Sequence, residues 1–476
     1  MKDKNDKLCD RNFSNVYNDD SHFQRMEIER DFNIKLEEKS DNNSDGSQHS
    51  SNIGEITGEK IKKKMIIDKG MPMRSRHTLK KPLYDQNINF DLHEKVNTKT
   101  NIQYDDNNQT SPFAELGEVE ETLTSQLNPM NVLSNSIEKF GTILYNKIAE
   151  TLQNNSFIIN TIGLYSLFVS LYMASDHITE IEMGKFFNFP KKEILYQTLS
   201  NTIAIINNSP DVFRMKNLIV LGNNIPCIRE FYETIKQFCM FVRVNIQNPI
   251  TESKKLNYVV NKILRGKIRN PTVPANIMNL QMMFMSISIV RPIWTYAFDK
   301  IIKDDFNGHN EYRKILYLVS VRKSYNYFED TNHQLIEIKC GKGQIVFGVL
   351  LHKNMLSAET NKNLHFYISH IKPTILDEVR IPKFTQDVKL RYNSILKNLG
   401  LNSVFVQITA KDFFPEKIQL HDVIQNIKVI IGGETLGLSN NMKGQRSMKT
   451  FVANKPFAYY FRITETNTII MNGLFQ

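Results

Sequence analysis

The chain has 476 residues, of which 41% are hydrophobic and 10% aromatic, enough for one large core or for two to three ordinary domains. A formal net charge of +10 invites a nucleic-acid reading, but Lys is diluted with Asp and Glu and no Arg/aromatic stripe or nucleic-acid module stands out, so no nucleic-acid partner is expected. The four cysteines, Cys9, Cys227, Cys239 and Cys340, show no CxxC pair and no metal spacing; free thiols are the default, a Cys227–Cys239 bridge has nothing to support it, and neither metal nor cofactor is expected.

Residues 1–125 are rich in Asn, Asp, Ser, Lys and Glu, a composition that buries too little apolar area to offset chain entropy. A disordered polar tail is the expectation. Its start, Met1 to Lys7, has no apolar signal core, which points to an intracellular protein or to release without classical secretion. The basic runs Lys60 to Lys64 and Arg74 to Lys81 read as solvated charge; an anionic-surface binder acting through them is the remote alternative.

Residues 126–476 read as one globular domain. Val132, Ile137, Phe140, Leu144, Ile148 and Leu152 recur at helical spacing and predict a long amphipathic helix. Phe157 to Ile159 predicts a short buried strand, followed by a helix to about Ala174 and another over Ile181 to Phe187. The uncharged run Phe157 to Ala174 is short for a membrane span and carries Asn160, Thr161 and Ser166, so a buried strand end and core helix fit it better. Helices are expected over Cys227 to Val242 and Leu256 to Leu264, and a buried central strand over Leu280 to Ile293. Gln334 to Lys339 and Gln344 to Leu351 flank a glycine-rich hairpin turn at Cys340 to Gly343. Strand patterns return at Leu364 to Ile371, Glu378 to Phe384, Ile427 to Ile431 and in two C-terminal segments. Helices first and strands later, with little strict alternation, indicate an α+β fold.

Candidate chemistry is sparse. Gly341-Lys342-Gly343 lacks the order of a phosphate loop. His365 and His370, five apart on an expected strand, would face opposite sides. His421-Asp422 has no nucleophile elbow to complete a catalytic pair. No active site is built, so an enzyme, and with it a small-molecule substrate, is not expected. The segment with mechanistic content runs from Gly432 to Thr450, polar and glycine-rich between two strand patterns. Loops of that length inside a compact domain are usually functional or disordered. It carries Lys443, Arg446 and Lys449, after which a trypsin-like protease would cut.

The C-terminus, Phe451-Val452-Ala453-Asn454-Lys455-Pro456-Phe457 through Arg462 and Thr466 to Gly473, resembles the signature that closes the serpins, the serine-protease-inhibitor superfamily. Upstream, Phe157 to Thr179 resembles the family's strand, turn and buried helix, with Asn160-Thr161 in place of Ser-Pro and Gly163 in place of the second Ser. Leu256 to Val260 with Gly266-Lys267-Ile268 is similar to another family segment. Leu280 to Phe298 is similar to the stretch that carries the family's Trp and Phe, here Trp294 and Phe298, with Ser286 where Asn is usual. Ile381-Pro382-Lys383-Phe384 resembles the Pro-Lys-Phe strand. The resemblance covers about residues 130–476 in order. It implies the serpin fold, a large central mixed sheet with two further sheets, a helical N-terminal half and an exposed reactive loop near the C-terminus. The family core would comprise Trp294, Phe298, Pro382, Phe384, Pro456, Phe457 and Gly473.

The resemblance also implies a mechanism. In inhibitory serpins the loop is bait for a protease, and the cleaved loop inserts as a new strand in the main sheet before the acyl-enzyme can hydrolyse. The loop would span about residues 433–450, with Gly433, Glu434, Thr435, Leu436, Gly437 and Leu438 as its hinge. Of these only Glu434 matches the family pattern. On insertion Leu436, Leu438, Asn440 and Met442 would share one face, where the family has small residues, and overpacking costs about 1–3 kcal/mol. Counting from the hinge places the scissile bond near Lys449, and counting back from Phe451 places it near Gln445. Arg446-Ser447 lies between and is the favoured bond, ahead of Lys443, Gln445 and Lys449. The expectation is a monomeric inhibitor of a trypsin-like serine protease. The close alternative is a non-inhibitory serpin whose hinge cannot insert.

Overall fold

The computed structural model describes residues 128–152, 155–263, 268, 270–309, 311–353, 364–414, 417–439 and 447–476, together with the backbone of Ile88–Asn89. The tail expectation for residues 1–125 otherwise lies outside the described residues.

In chain order the elements begin with β1 (Ile88–Asn89), α1 (Pro129–Leu152), β2 (Phe157–Ile159), α2 (Thr161–Ala174), α3 (His177–Phe187) and α4 (Lys192–Asn207). There follow β3 (Phe213–Gly222), α5 (Arg229–Ile235), β4 (Met240–Val244), α6 (Pro249–Ile263), β5 (Met282–Val290), β6 (Trp294–Tyr296) and β7 (Lys300–Asn307). Next are β8 (Tyr312–Glu329), β9 (His333–Cys340), β10 (Ile345–His352), α7 (Leu364–Ser369), β11 (Lys372–Pro382), β12 (Phe384–Arg391), α8 (Asn393–Asn398) and α9 (Ser403–Val406). The chain closes with β13 (Leu420–Ile431), β14 (Thr435–Leu438), β15 (Thr450–Val452), β16 (Phe457–Ile463) and β17 (Ile469–Phe475).

The main sheet has six strands in the order β1-β12-β13-β5-β3-β4. Its centre is β5, every residue of which is buried. One face of β5 meets α2, a helix apolar on all sides and therefore enclosed rather than amphipathic. The other face, through Met283, Met285, Ile287 and Ile289, joins a second core with Leu256 and Val260 of α6. The remaining strands form one eleven-stranded array, because the 18-residue β8 runs through both of the smaller sheets that were expected. Asn160 caps α2 by accepting a 3.0 Å hydrogen bond from the Gly163 amide. No helix among the described residues is long and apolar enough to cross a membrane. Cys239 and Cys340 are buried free thiols.

Three expectations need correction. The helix expected over Cys227 to Val242 stops at Ile235, and Met240–Val244 is a strand parallel to β3. There Phe241 and Val242 gain a ladder, and stiff β-branched side chains favour it. The strand expected over Leu364 to Ile371 is the helix α7. Its buried residues Leu364, Tyr367 and Ile368 fall at helical, not alternate, spacing. His365 therefore lies on a helix, 3.4 Å from Glu138, and His370 just follows it. The strand expected over Glu378 to Phe384 is two strands, β11 and β12, parted at Lys383.

Candidate functional site

The C-terminal pair β16 and β17 packs antiparallel in the core, and Phe457 and Gly473 sit within it. Gly473 is required by close approach: a Cβ there would lie 2.7 Å from the Tyr459 ring and 2.8 Å from the Phe157 carbonyl. Phe384 and Phe457 meet at 6.2 Å between ring centroids. Pro382 ends β11, and Pro456 immediately precedes β16, where a missing amide costs no ladder bond. Arg462 lies beside Glu337 in this core, Nε to Oε1 at 2.8 Å and Nη2 to Oε2 at 2.7 Å, and Tyr460 donates to the same carboxylate at 2.9 Å.

Trp294 is fully buried and edge-on to Phe298, with 5.6 Å between ring centroids. Its indole N–H donates to the Gly432 carbonyl at 2.7 Å, which ties the start of the loop to β6. The Trp294 amide donates to Glu434 O at 2.8 Å, and Thr435 Oγ1 donates to Trp294 O at 3.1 Å. Thr435 and Leu438 thus pair in parallel with Trp294 and Tyr296, with an irregularity between them. Gly437 occupies that irregularity at φ +76°, a conformation glycine tolerates. All four residues of β14, within the segment expected as the hinge, are exposed and lie outside the main sheet. Gly433 passes over the outer strands, within 3.4 Å of Leu318 at its Cβ direction. Leu436 lines a cavity of about 130 Å³ with Val212, Ile293 and Cys340. The Glu434 carboxylate pairs with Arg291, and that hydrogen bond holds it below the ordinary glutamate range.

The far end of the loop is fastened separately. Ser447 and Met448 donate backbone N–H groups to the Asp377 carboxylate at 3.3 and 3.0 Å, and the Asp377 amide donates to Lys449 O at 2.8 Å. Met448 has φ +57° and is 92% exposed. The Lys449 ammonium lies 3.3 Å from Glu329 and 5.7 Å from the Tyr327 ring centroid. Burial pushes Glu329 upward, but hydrogen bonds from Lys353 and Lys449 outweigh it and lower its pKa. β15 then pairs in parallel with β11. Lys443, Gln445 and Arg446 lie outside the described residues.

The main sheet has a central seam between β5 and β13. β13 and β5 are direct parallel neighbours from Leu420↔Met282 to Val429↔Val290. A strand following β13 through a reversal at Gly432-Gly433 would run antiparallel to both if it entered that seam. Beneath it, Gln425 Nε2 donates to Asn160 O at 2.8 Å, and Asn160 N and Tyr392 OH donate to Gln425 Oε1 at 3.0 and 2.8 Å. Ser286 and Ser288, on the same face of β5, have no hydrogen-bond partner among the described residues. Ser286 presses on Gly163, where a Cβ would lie 2.2 Å from its Oγ.

Sequence reasoning missed Arg291, Glu329, Asp377, Tyr392 and Gln425. Each is an ordinary residue in no motif, and the Glu434, Lys449, Ser447 and Asn160 it serves are remote in sequence. No signal in the chain pairs them. Asp422, next to His421 in sequence, accepts from Arg391 at 2.7 Å and Asn276 at 3.2 Å. Gly341 and Gly343 form the β9–β10 turn at φ +53° and +89°.

Comparison with known proteins gives the architecture its family. A serpin-like protein of Acanthamoeba polyphaga mimivirus is 22% identical over 359 residues, covering 70% of this chain and 87% of the relative. The Antitrypsin of Bombyx mori is 22% identical over 380 residues, covering 73% and 95%. The crystal structure of maspin superposes with a TM-score of 0.67 at 16% identity, over 73% of this chain and 99% of that one. The profile described as Serpin (serine protease inhibitor) matches residues 135–476, well over half of the sequence, and the chain belongs to the serpin family.

Proposed function

We propose that the chain is a serine-protease inhibitor of the suicide-substrate type, presenting residues 433–450 as bait with Arg446-Ser447 as the bond attacked. The carrying observation is the double anchoring of that loop. Its hinge is clamped outside the main sheet by Trp294 and Arg291, and its far end is clamped by Asp377 and Glu329, while the seam between β5 and β13 is closed. A trypsin-like enzyme takes a free cationic side chain into its specificity pocket. Lys449 is a poor bait because its ammonium already sits on Glu329, and Arg446 is preferred for its place in the sequence between the two counts.

The non-inhibitory reading has one specific observation in its favour. Leu436 has a seat outside the sheet, beside Val212 and Cys340, and would exchange it for a packed interior where bulk is penalised. One experiment separates the two. The full chain is mixed with trypsin-like proteases and run on a denaturing gel beside an Arg446→Ala variant. A covalent complex formed by the wild type and lost in the variant is the expected result. Turnover of the loop with no trapped complex would assign the chain to the non-inhibitory reading.

A further inference from the structure

Away from the loop, the eleven-stranded array carries a basic row. Lys339 of β9 stands opposite Val346 of β10, and Val346 stands opposite Arg462 of β16. Residues opposed in antiparallel pairs share a face, so Lys339 and Arg462 rise from the same side of the sheet. Two strand spacings put their backbones about 10 Å apart, within the joint reach of two long side chains. Between this row and α7 lies an open cleft of about 520 Å³, walled by Ile368 of α7 and by Ile371 just after it. Small-molecule sites typically have volumes of about 300–1,000 Å³.

Arg462 is the unusual member, because its side chain is only 6% exposed. A guanidinium carries five N–H donors. Three are engaged, two by Glu337 and one by Asn467 Oδ1 at 2.5 Å. The other two have no acceptor among the described residues, and buried donors without acceptors cost free energy. Charge indicates what would meet them. Glu337 offsets the Arg462 cation, and His365 at the rim faces Glu138 at 3.4 Å. Lys339 is exposed and has no ion-pair partner among the described residues, and none of the described lining residues is acidic. One cation is left uncompensated.

We propose that this cleft binds a small organic monocarboxylate. The carboxylate accepts from the two spare N–H groups of Arg462 and from the Lys339 ammonium, and the apolar body lies against Ile368 and Ile371. A phosphate dianion would over-compensate the single free cation, and a neutral ligand would leave it unmatched. The proposal rests on this sheet face and α7, and not on the loop's inhibitory role.

The test is calorimetric titration of the full chain with hexanoate as the probe. Wild type should bind hexanoate at one site with Kd below about 1 mM. Lys339→Gln, a change at an exposed position, should weaken binding about tenfold through loss of one charge-assisted hydrogen bond. Ser369→Trp, which adds bulk at an exposed position on the cleft wall, should weaken it as well. Lys300→Gln, on the exposed face of β7, should leave it unchanged. Hexanol and inorganic phosphate should each bind about tenfold or more weaker than hexanoate to the wild type. Absence of hexanoate binding would overturn the proposal. Binding that both the Lys339 and Ser369 variants retain in full would overturn the location. Phosphate binding as tight as that of hexanoate would overturn the ligand class.

Discussion

Ser286 holds a buried hydroxyl with no partner among the described residues, packed closely against Gly163. An unpaired buried hydroxyl costs about 1–3 kcal/mol, and its removal leaves only a small void. Ser286→Ala should therefore be neutral or stabilising by up to about 1 kcal/mol in urea unfolding, unlike most core truncations. A loss of more than that would mean that the hydroxyl has a partner in solution. Arg462 is the opposite case. Its guanidinium and the Glu337 carboxylate are both buried, and each satisfies the other. Arg462→Met would leave Glu337 charged in the core with the Tyr460 hydroxyl but without its cation, and should cost about 3–5 kcal/mol. The double change with Glu337→Gln should recover part of that loss in the same unfolding assay, because no unpaired buried charge remains.

The hinge element carries its own reporter. Trp294 is the chain's only tryptophan, and its indole is bonded to Gly432 where the loop begins. The Glu434–Arg291 pair lowers the Glu434 pKa from 4.5. A depressed carboxylate adds stability that is complete above its unfolded pKa and lost as pH falls through its folded pKa. Hinge anchoring should thus be intact at neutral pH and released only below about pH 4.5, and the release should shift Trp294 fluorescence. Glu434→Gln should flatten that acid step. An identical titration in the variant would show that the pair does not hold the hinge. The element also shows why parts of the site were illegible. Glu434 was singled out because it matches a family position, and the structure adds a partner, Arg291, that no spacing rule could supply. The apolar face that reads as a helix over Cys227 to Val242 takes in Phe241 and Val242, because a sequence window does not contain β3, the strand they pair with.

At the scale of the whole molecule, the closed seam between β5 and β13 is the quantity to test. Parallel pairs are slightly less stable per residue than antiparallel ones, and an inserted loop strand would replace one parallel ladder with two antiparallel ones. If the proposed inhibitory cycle holds, cutting the loop within residues 443–449 should raise Tm by about 10 °C or more, which at about 2–4 °C per kcal/mol is a gain of several kcal/mol. Leu436→Ala with Leu438→Ala should enlarge the gain by relieving overpacking on insertion. A cut chain that melts where the intact one does would place the hinge permanently outside the sheet.

The sequence by itself determined the large scale. Helical spacing gave α1, an uninterrupted apolar run gave β5, and the ordered resemblance from residue 130 onward gave a fold that the structure and the family match both bear out. The first two follow from local periodicity and composition, which any window of the chain contains, and the fold follows from the resemblance. Only the tertiary structure decided what holds the loop from Gly432 to Thr450. Arg291, Asp377 and Glu329 act across sequence gaps that no local pattern spans, and the anchoring of Lys449 turns on where β8 brings Glu329. The C-terminal signature marks where that loop ends; the fold shows that both of its ends are tied down while residues 435–438 stay outside the main sheet.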